Sequence, residues 1–378
     1  MLFKLIFAIS SVFVFNGFMH AKNHNSTSVP KVRIPLLDCS NNNVAGGNVG
    51  LRPIGKHGIN LEVRLLPKGQ KVYFNTGHGG SGVCLAPAAA MEAIRIFEKD
   101  NPNFDKNNSI AVLGAGYSGL FVAKFLQEKG YKVKVYAAQL PENDYIYNGH
   151  PCITSLVAAG FWMPFGLKIN DKKLYKQLMV DSWNYYYQNQ FVLPGVSMRD
   201  VYEVAEKDPL QIDNLLVEII GKSERVDVTL DGKKYTPAWH YRTFLLDGNL
   251  LLNAIYNDLQ ESGVTFEMRQ LEDLSDVEIL EEQIIFNCCG FGSKALFGDE
   301  IIPSRGQLVY LKDKTFPCFF RGYIDGQKVC IYPGSRGTVI GLSCKDGEEE
   351  INLDEEEQKK LLDRAQRFIR SLLERSNN

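Results

Sequence analysis

Apolar runs separated by polar turns predict an α/β protein built around parallel strands. Residues 110–113 are wholly apolar, which is typical of a parallel strand buried on both faces. A helical pattern that ends near Gly130 follows, and residues 131–136 have the composition of the next strand. The apolar run at 284–290 predicts another buried strand. Together these segments indicate a strand–helix–strand unit with further strands added to the same sheet.

The chain before residue 110 predicts a smaller module. Residues 61–66 and 71–75 have strand patterns, separated by a PKGQ turn. Apolar residues at helical spacing predict a helix from Ala88 to Lys99, with Pro87 in its first turn, where a missing N–H costs nothing. Residues 99–109, KDNPNFDKNNS, are polar and predict a linker.

The remaining pattern indicates an antiparallel sheet with covering helices. Helical segments are predicted at 171–191, 249–262 and 354–374. Strands are predicted within 224–247 and at 306–312, 328–332 and 337–344.

The first 21 residues differ from everything that follows. Lys4 precedes a mostly apolar stretch up to Phe18, which is shorter than the ~20 residues a spanning helix needs. The segment is typical of a secretory signal peptide, with an uncleaved anchor as the alternative. We therefore expect an exported protein, periplasmic or secreted, without stable membrane insertion after cleavage, and a linker over residues 22–40.

Composition excludes several classes of function. The net charge of -2 and the absence of a basic run argue against nucleic acid as a partner. The eight cysteines permit disulfides in an exported chain, but their spacing is not that of a small disulfide scaffold, and Cys288 and Cys289 are predicted to be buried packing residues. No metal-binding spacing is present, so no metal is predicted.

Residues 114–119, GAGYSG, lie between the predicted strand and helix. In this context Gly114 permits the tight turn, Gly116 admits a pyrophosphate, and Gly119 lets the helix pack on the strand. The acidic residue expected at the end of the second strand is missing, because Ala137, Ala138 and Gln139 stand there. These residues predict a dinucleotide fold and leave NAD and FAD both open.

A second glycine-rich segment, NTGHGGSG at 75–82, precedes the first. Together with GLRP at 50–53, GAGYSGL at 114–120, TSLVAAGFWMP at 154–164, FNCCGFGSKALFGD at 286–299, PSRGQ at 303–307 and IYPG at 331–334, it resembles the D-amino-acid oxidase family of flavoproteins. The resemblance implies a Rossmann-like FAD-binding domain joined to an antiparallel-sheet substrate domain.

The order of these motifs differs from that family, in which GLRP and GHGG come last. We therefore predict a circular permutation, with residues 41–98 as the displaced module and 99–109 as its linker. Residues 110–165 would form the Rossmann part, and 166–378 would contribute segments to both domains.

The resemblance also implies roles for individual residues. Arg52 would bind the substrate carboxylate, the Gly80 carbonyl would accept from the substrate amine, and Cys330 and Tyr323 stand where the family has active-site aromatic residues. His78 is predicted to be a structural loop residue. FAD would be bound by Gly79, Gly80, Ser81, Gly82, Val83, Cys84, Gly114, Gly116, Tyr117, Ser118, Gly119, Gln139, Thr154, Ser155, Ala159, Gly160, Phe161, Trp162 and Gly290.

Departures from the family leave alternatives open. Cys330 replaces a tyrosine, Met163 replaces a glutamine, and Ala138 stands where an acidic residue is expected. Cys344 stands where D-aspartate oxidases have an arginine, which favours a neutral substrate. The implied function is oxidation of a D-amino acid, preferably neutral, with dioxygen as the second substrate. The alternatives are an oxidase of glycine or an N-methyl amino acid, and a flavin-binding protein without turnover. A homodimer is left open.

Overall fold

The computed structural model describes residues 28–141, 153–158, 160–341 and 343–374, which form two β-sheets covered by helices. The strands are β1 Lys31–Arg33, β2 Val44–Gly55, β3 Val63–Leu65, β4 Lys71–Phe74, β5 Ser109–Leu113, β6 Lys132–Ala137, β7 Gly160–Phe161, β8 Val196–Glu203, β9 Glu224–Thr229, β10 Thr236–Leu246, β11 Thr265–Met268, β12 Ile284–Asn287, β13 Ile301–Leu311, β14 Phe319–Ile324, β15 Gln327–Tyr332, β16 Thr338–Gly341 and β17 Lys345–Asp346.

The α-helices alternate with the strands in the first sheet and cover the faces of both. They are α1 Gly82–Asp100, α2 Tyr117–Glu128, α3 Thr154–Val157, α4 Lys172–Asn189, α5 Asn214–Ile220, α6 Gly248–Glu261, α7 Leu274–Glu278, α8 Ser293–Phe297 and α9 Glu355–Glu374. Short 3-10 turns lie at Asn41–Asn43, Gly79–Ser81, Pro209–Ile212 and Gly290–Gly292.

The first sheet has the strand order β11-β6-β5-β12-β4-β3, parallel except for β3. Its central strands β5 and β12 are buried on both faces, as their unbroken apolar runs predict. Helices α1 and α2 pack on one face and the short helices α7 and α8 on the other. This is the predicted Rossmann-like unit, and β4 from the N-terminal module lies directly beside β12.

The second sheet is a mixed, largely antiparallel sheet of eleven strands. Its longest pairing joins β2 to β13 over almost their full length, so the GLRP segment lies next to the PSRGQ segment. Helix α9 covers one face with an apolar stripe that includes Leu361, Phe368 and Leu372. The protein therefore has the predicted class, an α/β dinucleotide-binding domain with an antiparallel-sheet domain.

Helix α1 begins at Gly82, six residues before its predicted start, so Pro87 lies inside the helix and not in its first turn. A proline there cannot donate to the carbonyl four residues back, which is that of Val83. The Tyr186 hydroxyl of α4 donates to this carbonyl at 2.6 Å, and the Ser182 hydroxyl donates to the neighbouring Cys84 carbonyl. Side chains of α4 thus supply hydrogen bonds that the proline cannot.

Among the described residues, one helical segment, Gly79–Asp100, is long and apolar enough to cross a membrane. In this structure 67% of its most apolar window is buried inside the protein. The segment is α1 with its preceding turn, and it packs against α2 and α4. Its composition therefore fits that of a core helix.

The predicted linker over residues 22–40 is wrong for its second half. Strand β1 pairs in parallel with β9, and Ile34, Leu37 and Cys39 are buried in the core under α9. Short strands at the edge of a sheet have little sequence pattern of their own, because their partner supplies the order. The linker predicted at 99–109 is shorter than expected, since α1 includes Asp100 and β5 includes Ser109.

The predicted signal peptide lies outside the described residues. The seven cysteines within them are free thiols, five of them buried, and Cys152 lies outside the described part. In the described chain no group of three His, Cys, Asp or Glu side chains is placed to hold a metal ion.

We expect Tyr186→Phe to lower the free energy of unfolding by about 1–3 kcal/mol, because it leaves the buried Val83 carbonyl without a donor. Tyr187→Phe is the matched control, since that neighbouring side chain is 58% exposed. Urea unfolding of both variants measures the difference. Equal stability of the two variants would show that the proline is tolerated without the hydroxyl.

Candidate active site

A cavity of about 420 Å³ lies between the two sheets. Its walls come from β2, the 78–84 turn, the β5–α2 loop, the end of β6, α3, β7, the 288–291 turn and strands β13, β15 and β16. Of the predicted site residues, Arg52, Gly79, Gly80, Gly82, Val83, Cys84, Gly114, Gly116, Tyr117, Ser118, Gln139, Thr154, Ser155, Gly160, Phe161, Gly290 and Cys330 line it.

One end of the cavity is built from backbone and hydroxyl groups. Gly114 has φ +102°, and a Cβ there would lie 2.6 Å from the Cys288 carbonyl oxygen, so only glycine fits this turn. Gly116 precedes the first residue of α2. The backbone N–H of Tyr117 donates to Ser155 Oγ at 3.0 Å. A helix N-terminus beside serine and threonine hydroxyls can bind a phosphate group.

The neighbouring part of this end is formed where β6 ends. Ala137, Ala138 and Gln139 line the cavity there, so these three positions offer an amide and no carboxylate. Gln139 is the one side chain of the three that can form a hydrogen bond with a ribose hydroxyl.

The second glycine segment is held against residues 160–166. Gly79 has φ +54°, and a Cβ on it would lie 2.0 Å from the Gly166 carbonyl oxygen. Ser81 Oγ lies 2.9 Å from both the N–H and the carbonyl oxygen of Phe165. The N-terminus of α1 lines the cavity immediately after this turn, so its partial positive charge favours a negative group there.

His78 lies at the start of this turn and is almost fully buried. Burial lowers the pKa of its imidazole to about 4, because a charged ring loses its hydration there. Its Nδ1 lies 3.5 Å from Ser118 Oγ, on the loop that begins α2. The ring, neutral at physiological pH, links the two glycine segments and also lines the cavity, so its structural role stays a prediction.

Arg52 projects from β2 into the opposite end of the cavity. Its guanidinium lies flat over Gly306, where a Cβ would be 2.3 Å from Nη2. Nη1 donates to the Ser343 carbonyl oxygen at 3.1 Å and approaches Cys344 Sγ at 3.4 Å. Within the described residues it has no carboxylate partner. An uncompensated guanidinium on a cavity wall is suited to binding an anion, above all a carboxylate.

Three residues near Arg52 complete this end of the cavity. Cys330 is a buried thiol whose pKa is raised by burial, so it acts as a small apolar wall. Tyr332 follows it two residues later on the same face of β15. Burial raises the pKa of the Tyr332 hydroxyl well above its usual value, and the charge of Arg52 opposes this rise. The Phe165 ring is 41% exposed and 5.7 Å from the Arg52 guanidinium.

Phe165 and Tyr332 are cavity residues to which the sequence motifs assign no role. Tyr332 could have been found, because alternation places it on the same strand face as Cys330. Phe165 could not, since its position depends on the long-range contact with Ser81.

Four predicted site residues do not line the cavity. Tyr323 is 46% exposed near the end of β14. The alignment of this hairpin from sequence was therefore wrong. Trp162 is a core side chain whose indole N–H donates to Ser182 Oγ, and Ser81 is turned to Phe165. Gly119 lies under α2, where a Cβ would be 1.8 Å from the Gly114 carbonyl oxygen, so it serves packing as predicted.

Two further predictions need comment. Cys288 and Cys289 were predicted to be packing residues, and both also line the cavity. Ala159, predicted to bind the cofactor, lies outside the described residues.

Comparison with known proteins identifies relatives of this chain. The family model for FAD-dependent oxidoreductases, DAO, matches residues 109–377. The D-amino-acid oxidase of Dictyostelium discoideum is 24% identical over 282 residues, 70% of this chain and 75% of that protein. The D-amino-acid oxidase of Streptomyces coelicolor is 25% identical over 224 residues, 55% of this chain and 61% of that protein.

Among solved structures, the glycerol-3-phosphate dehydrogenase from Bacillus halodurans complexed with FAD matches with a TM-score of 0.45. The two chains are 11% identical, and the match covers 75% of this chain and 56% of that one.

The buried imidazole gives the fold a dependence on pH. The unfolded chain takes up a proton at His78 near pH 6.5, whereas the folded protein does so only near pH 4, so stability falls as pH decreases below 6.5. Between pH 7.5 and 5 we expect a loss of about 2 kcal/mol in the wild type that His78→Gln does not show.

Unfolding free energies at both pH values measure this difference. His57→Gln is the control, because that ring is exposed beside Glu300, and it should keep the wild-type loss. The same pH dependence in His78→Gln and the wild type would mean that the folded protein accommodates a charged ring.

Proposed function

Because this chain belongs to the DAO family of FAD-dependent oxidoreductases, whose model matches residues 109–377, we propose that it oxidises a neutral D-amino acid. The products are a 2-oxo acid, ammonia and hydrogen peroxide. Arg52 is the observation that carries this proposal, since its guanidinium faces the cavity without a carboxylate partner among the described residues.

FAD is the cofactor of this family, and the described residues fit it. The N-terminus of α2, with Gly114, Gly116 and Ser155 around it, suits the pyrophosphate. Gln139, on the cavity wall where β6 ends, would bind a ribose hydroxyl. Gly160, Phe161 and Arg52 line the same cavity, and the redox-active ring would be held at the Arg52 end.

Bound FAD supplies the two-electron oxidant of the reaction. Arg52 holds the substrate carboxylate, and the N-terminus of α1 favours negative charge at the ring end of the cavity. Phe165 restricts access of water beside Arg52, and the neutral His78 leaves this end without a second cation. The oxidised substrate is an imine, which water hydrolyses to the oxo acid and ammonia.

The preference for a neutral side chain follows from the charges on the cavity wall. Arg52 is the one arginine or lysine among the described residues that line the cavity. The surrounding side chains Phe161, Phe165, Leu308 and Cys330 are apolar. One cation binds one carboxylate, so the second carboxylate of an acidic substrate would be buried without a partner.

Anaerobic mixing of the yellow protein with D- and L-amino acids, glycine and N-methyl amino acids tests the proposal through the flavin absorbance. We expect D-isomers with neutral side chains to bleach it. Bleaching by glycine or N-methyl amino acids alone would assign another amine, and no bleaching by any of them would indicate a flavin-binding protein without turnover.

We expect Arg52→Met to lower kcat/KM by about a thousandfold, equivalent to about 4 kcal/mol, while FAD stays bound. Arg95→Met is the control, because that arginine lies on the exposed face of α1 and pairs with Glu92. Steady-state kinetics with the substrate found above measures the difference. Unchanged kcat/KM in Arg52→Met would refute the carboxylate assignment.

We further propose that the chain is circularly permuted relative to its family. The family model matches only from residue 109, yet β4 lies inside the Rossmann-like sheet and Arg52 and Gly80 line the cavity. Gln366 of α9 donates to the Cys39 carbonyl oxygen at 2.8 Å, so the start of the N-terminal module lies beside the last helix.

A rearranged chain tests the permutation. It begins at Ser109, continues to Glu374 and returns through a flexible linker of about fifteen residues to Ser28–Asp100. We expect it to fold and bind FAD with the affinity of the original chain, measured by flavin fluorescence. A soluble, folded rearranged chain that does not bind FAD would contradict the proposal.

A further inference from the structure

A buried ion pair lies in the second sheet directly behind the Arg52 end of the cavity. Arg321 of β14 and Glu203 of β8 are 3% and 1% exposed, and Arg321 Nη1 lies 2.8 Å from Glu203 Oε2. The backbone register places Glu203, Arg321 and Cys330 in one row across three neighbouring strands. Arg321 Nη1 also donates to the Tyr241 hydroxyl at 2.9 Å.

Of the two residues in this ion pair, Arg321 is the one that lies towards the cavity. The Arg321 guanidinium lies 4.3 Å from the centre of the Phe161 ring, and Arg321 is the register partner of Cys330. Phe161 and Cys330 both line the cavity, whereas Glu203 and Tyr241 do not. The charge of Arg321 opposes the rise in the Cys330 pKa that burial causes, so its field reaches the cavity wall.

The cluster carries more positive than negative charge. Lys328 Nζ lies 3.4 Å from the other Glu203 oxygen, Oε1, and is partly exposed. Two cations thus share one carboxylate, and the Arg321 guanidinium packs on the ring of Phe161, which lines the cavity. In a low-dielectric setting such a charge acts over several ångströms.

Stability alone does not account for this arrangement, because a buried ion pair is often no more stabilising than apolar residues of the same size. The protein contains a second cluster of the same composition, in which Arg305 of β13 and Lys345 of β17 both pair with Glu357 of α9. None of these three side chains lines the cavity. This second cluster therefore offers a matched comparison within the same chain.

We propose that Arg321, with Lys328, is a positioning residue that favours negative charge on the FAD ring and so raises its midpoint potential. The inference rests on the proposed function only for the location of the ring at the Arg52 end. It concerns the cofactor and not the amino acid, so a chemical reductant can test it even if no amino acid is oxidised.

The first test compares the two-electron midpoint potentials of FAD in holoenzymes carrying Lys328→Met and Lys345→Met. Both lysines are partly exposed and pair with a buried glutamate that also binds a buried arginine. We expect Lys328→Met to make reduction about threefold to tenfold less favourable, about 15–30 mV lower. Lys345→Met should leave the potential unchanged, although it removes a lysine that lies near Glu348 and Asp354 as well as Glu357.

Substitutions of Arg321 and of Glu203 should shift the midpoint potential in opposite directions. Arg321→Met should lower the potential by more than Lys328→Met does, Arg321→Lys should restore most of it, and Glu203→Gln should raise it. A merely structural role would reduce thermal stability in all of these variants and move the potential in one direction or not at all.

Equal potentials in Lys328→Met, Lys345→Met and the wild type would overturn the proposal even if the buried variants fail to fold. A change in substrate preference at constant potential would also overturn it, because the cluster would then act on the substrate side chain.

Discussion

The cavity exists because backbone segments approach each other more closely than any side chain would allow. A Cβ on Gly79 would lie 2.0 Å from the Gly166 carbonyl oxygen, and a Cβ on Gly119 would lie 1.8 Å from that of Gly114. The first contact joins the N-terminal module to the segment that follows β7, and the second packs α2 on its sheet. Without these contacts the N-termini of α1 and α2 could not both face one space, where their partial charges favour an anionic cofactor.

The second sheet contributes two arginines, of which one pairs with a carboxylate and the other does not. Arg321 is buried and pairs with Glu203, which Lys328 also contacts, so it would touch no ligand and would act on the cavity only through its charge. Arg52 bonds to a carbonyl oxygen and approaches a thiol, and it has no carboxylate partner in the described chain. A carboxylate partner for Arg52 would stabilise the empty protein but would compete with any anionic ligand. Arg52 is therefore available to an anionic ligand at the cavity wall, whereas the proposed effect of Arg321 is on the electrostatic potential inside the cavity.

The sequence was sufficient for elements whose apolar pattern is long and one-sided, such as β5, β12, α2 and α9. The sequence did not predict elements whose structure depends on a contact with residues far away along the chain. Helix α1 extends through Pro87 because Tyr186 satisfies the freed carbonyl, and β1 forms because β9 accepts it at the sheet edge. No local pattern predicts either contact.

The residues of the site were likewise predicted only in part. Motif glycines and Arg52 are identifiable from sequence because their chemistry requires those residue types. Tyr323 was misplaced because the hairpin between β14 and β15 has no motif that fixes its register. Trp162 directly follows the cavity residues Gly160 and Phe161 of β7, yet its side chain lies in the core, where Ser182 accepts its N–H. A residue next to cavity residues in the sequence therefore does not have to line the cavity.

The order of elements along this chain affects how the fold can assemble more than what it finally is. With β4 and α1 ahead of β5, the packing of α1 on α2 joins helices that are separated by residues 101–116, which contain β5. Such local contacts cost little loop-closure entropy. The pairings of β4 with β12 and of β2 with β13 remain distant in sequence. The helical layer of the cofactor domain can thus form early, whereas the wall that carries Arg52 must wait for β13.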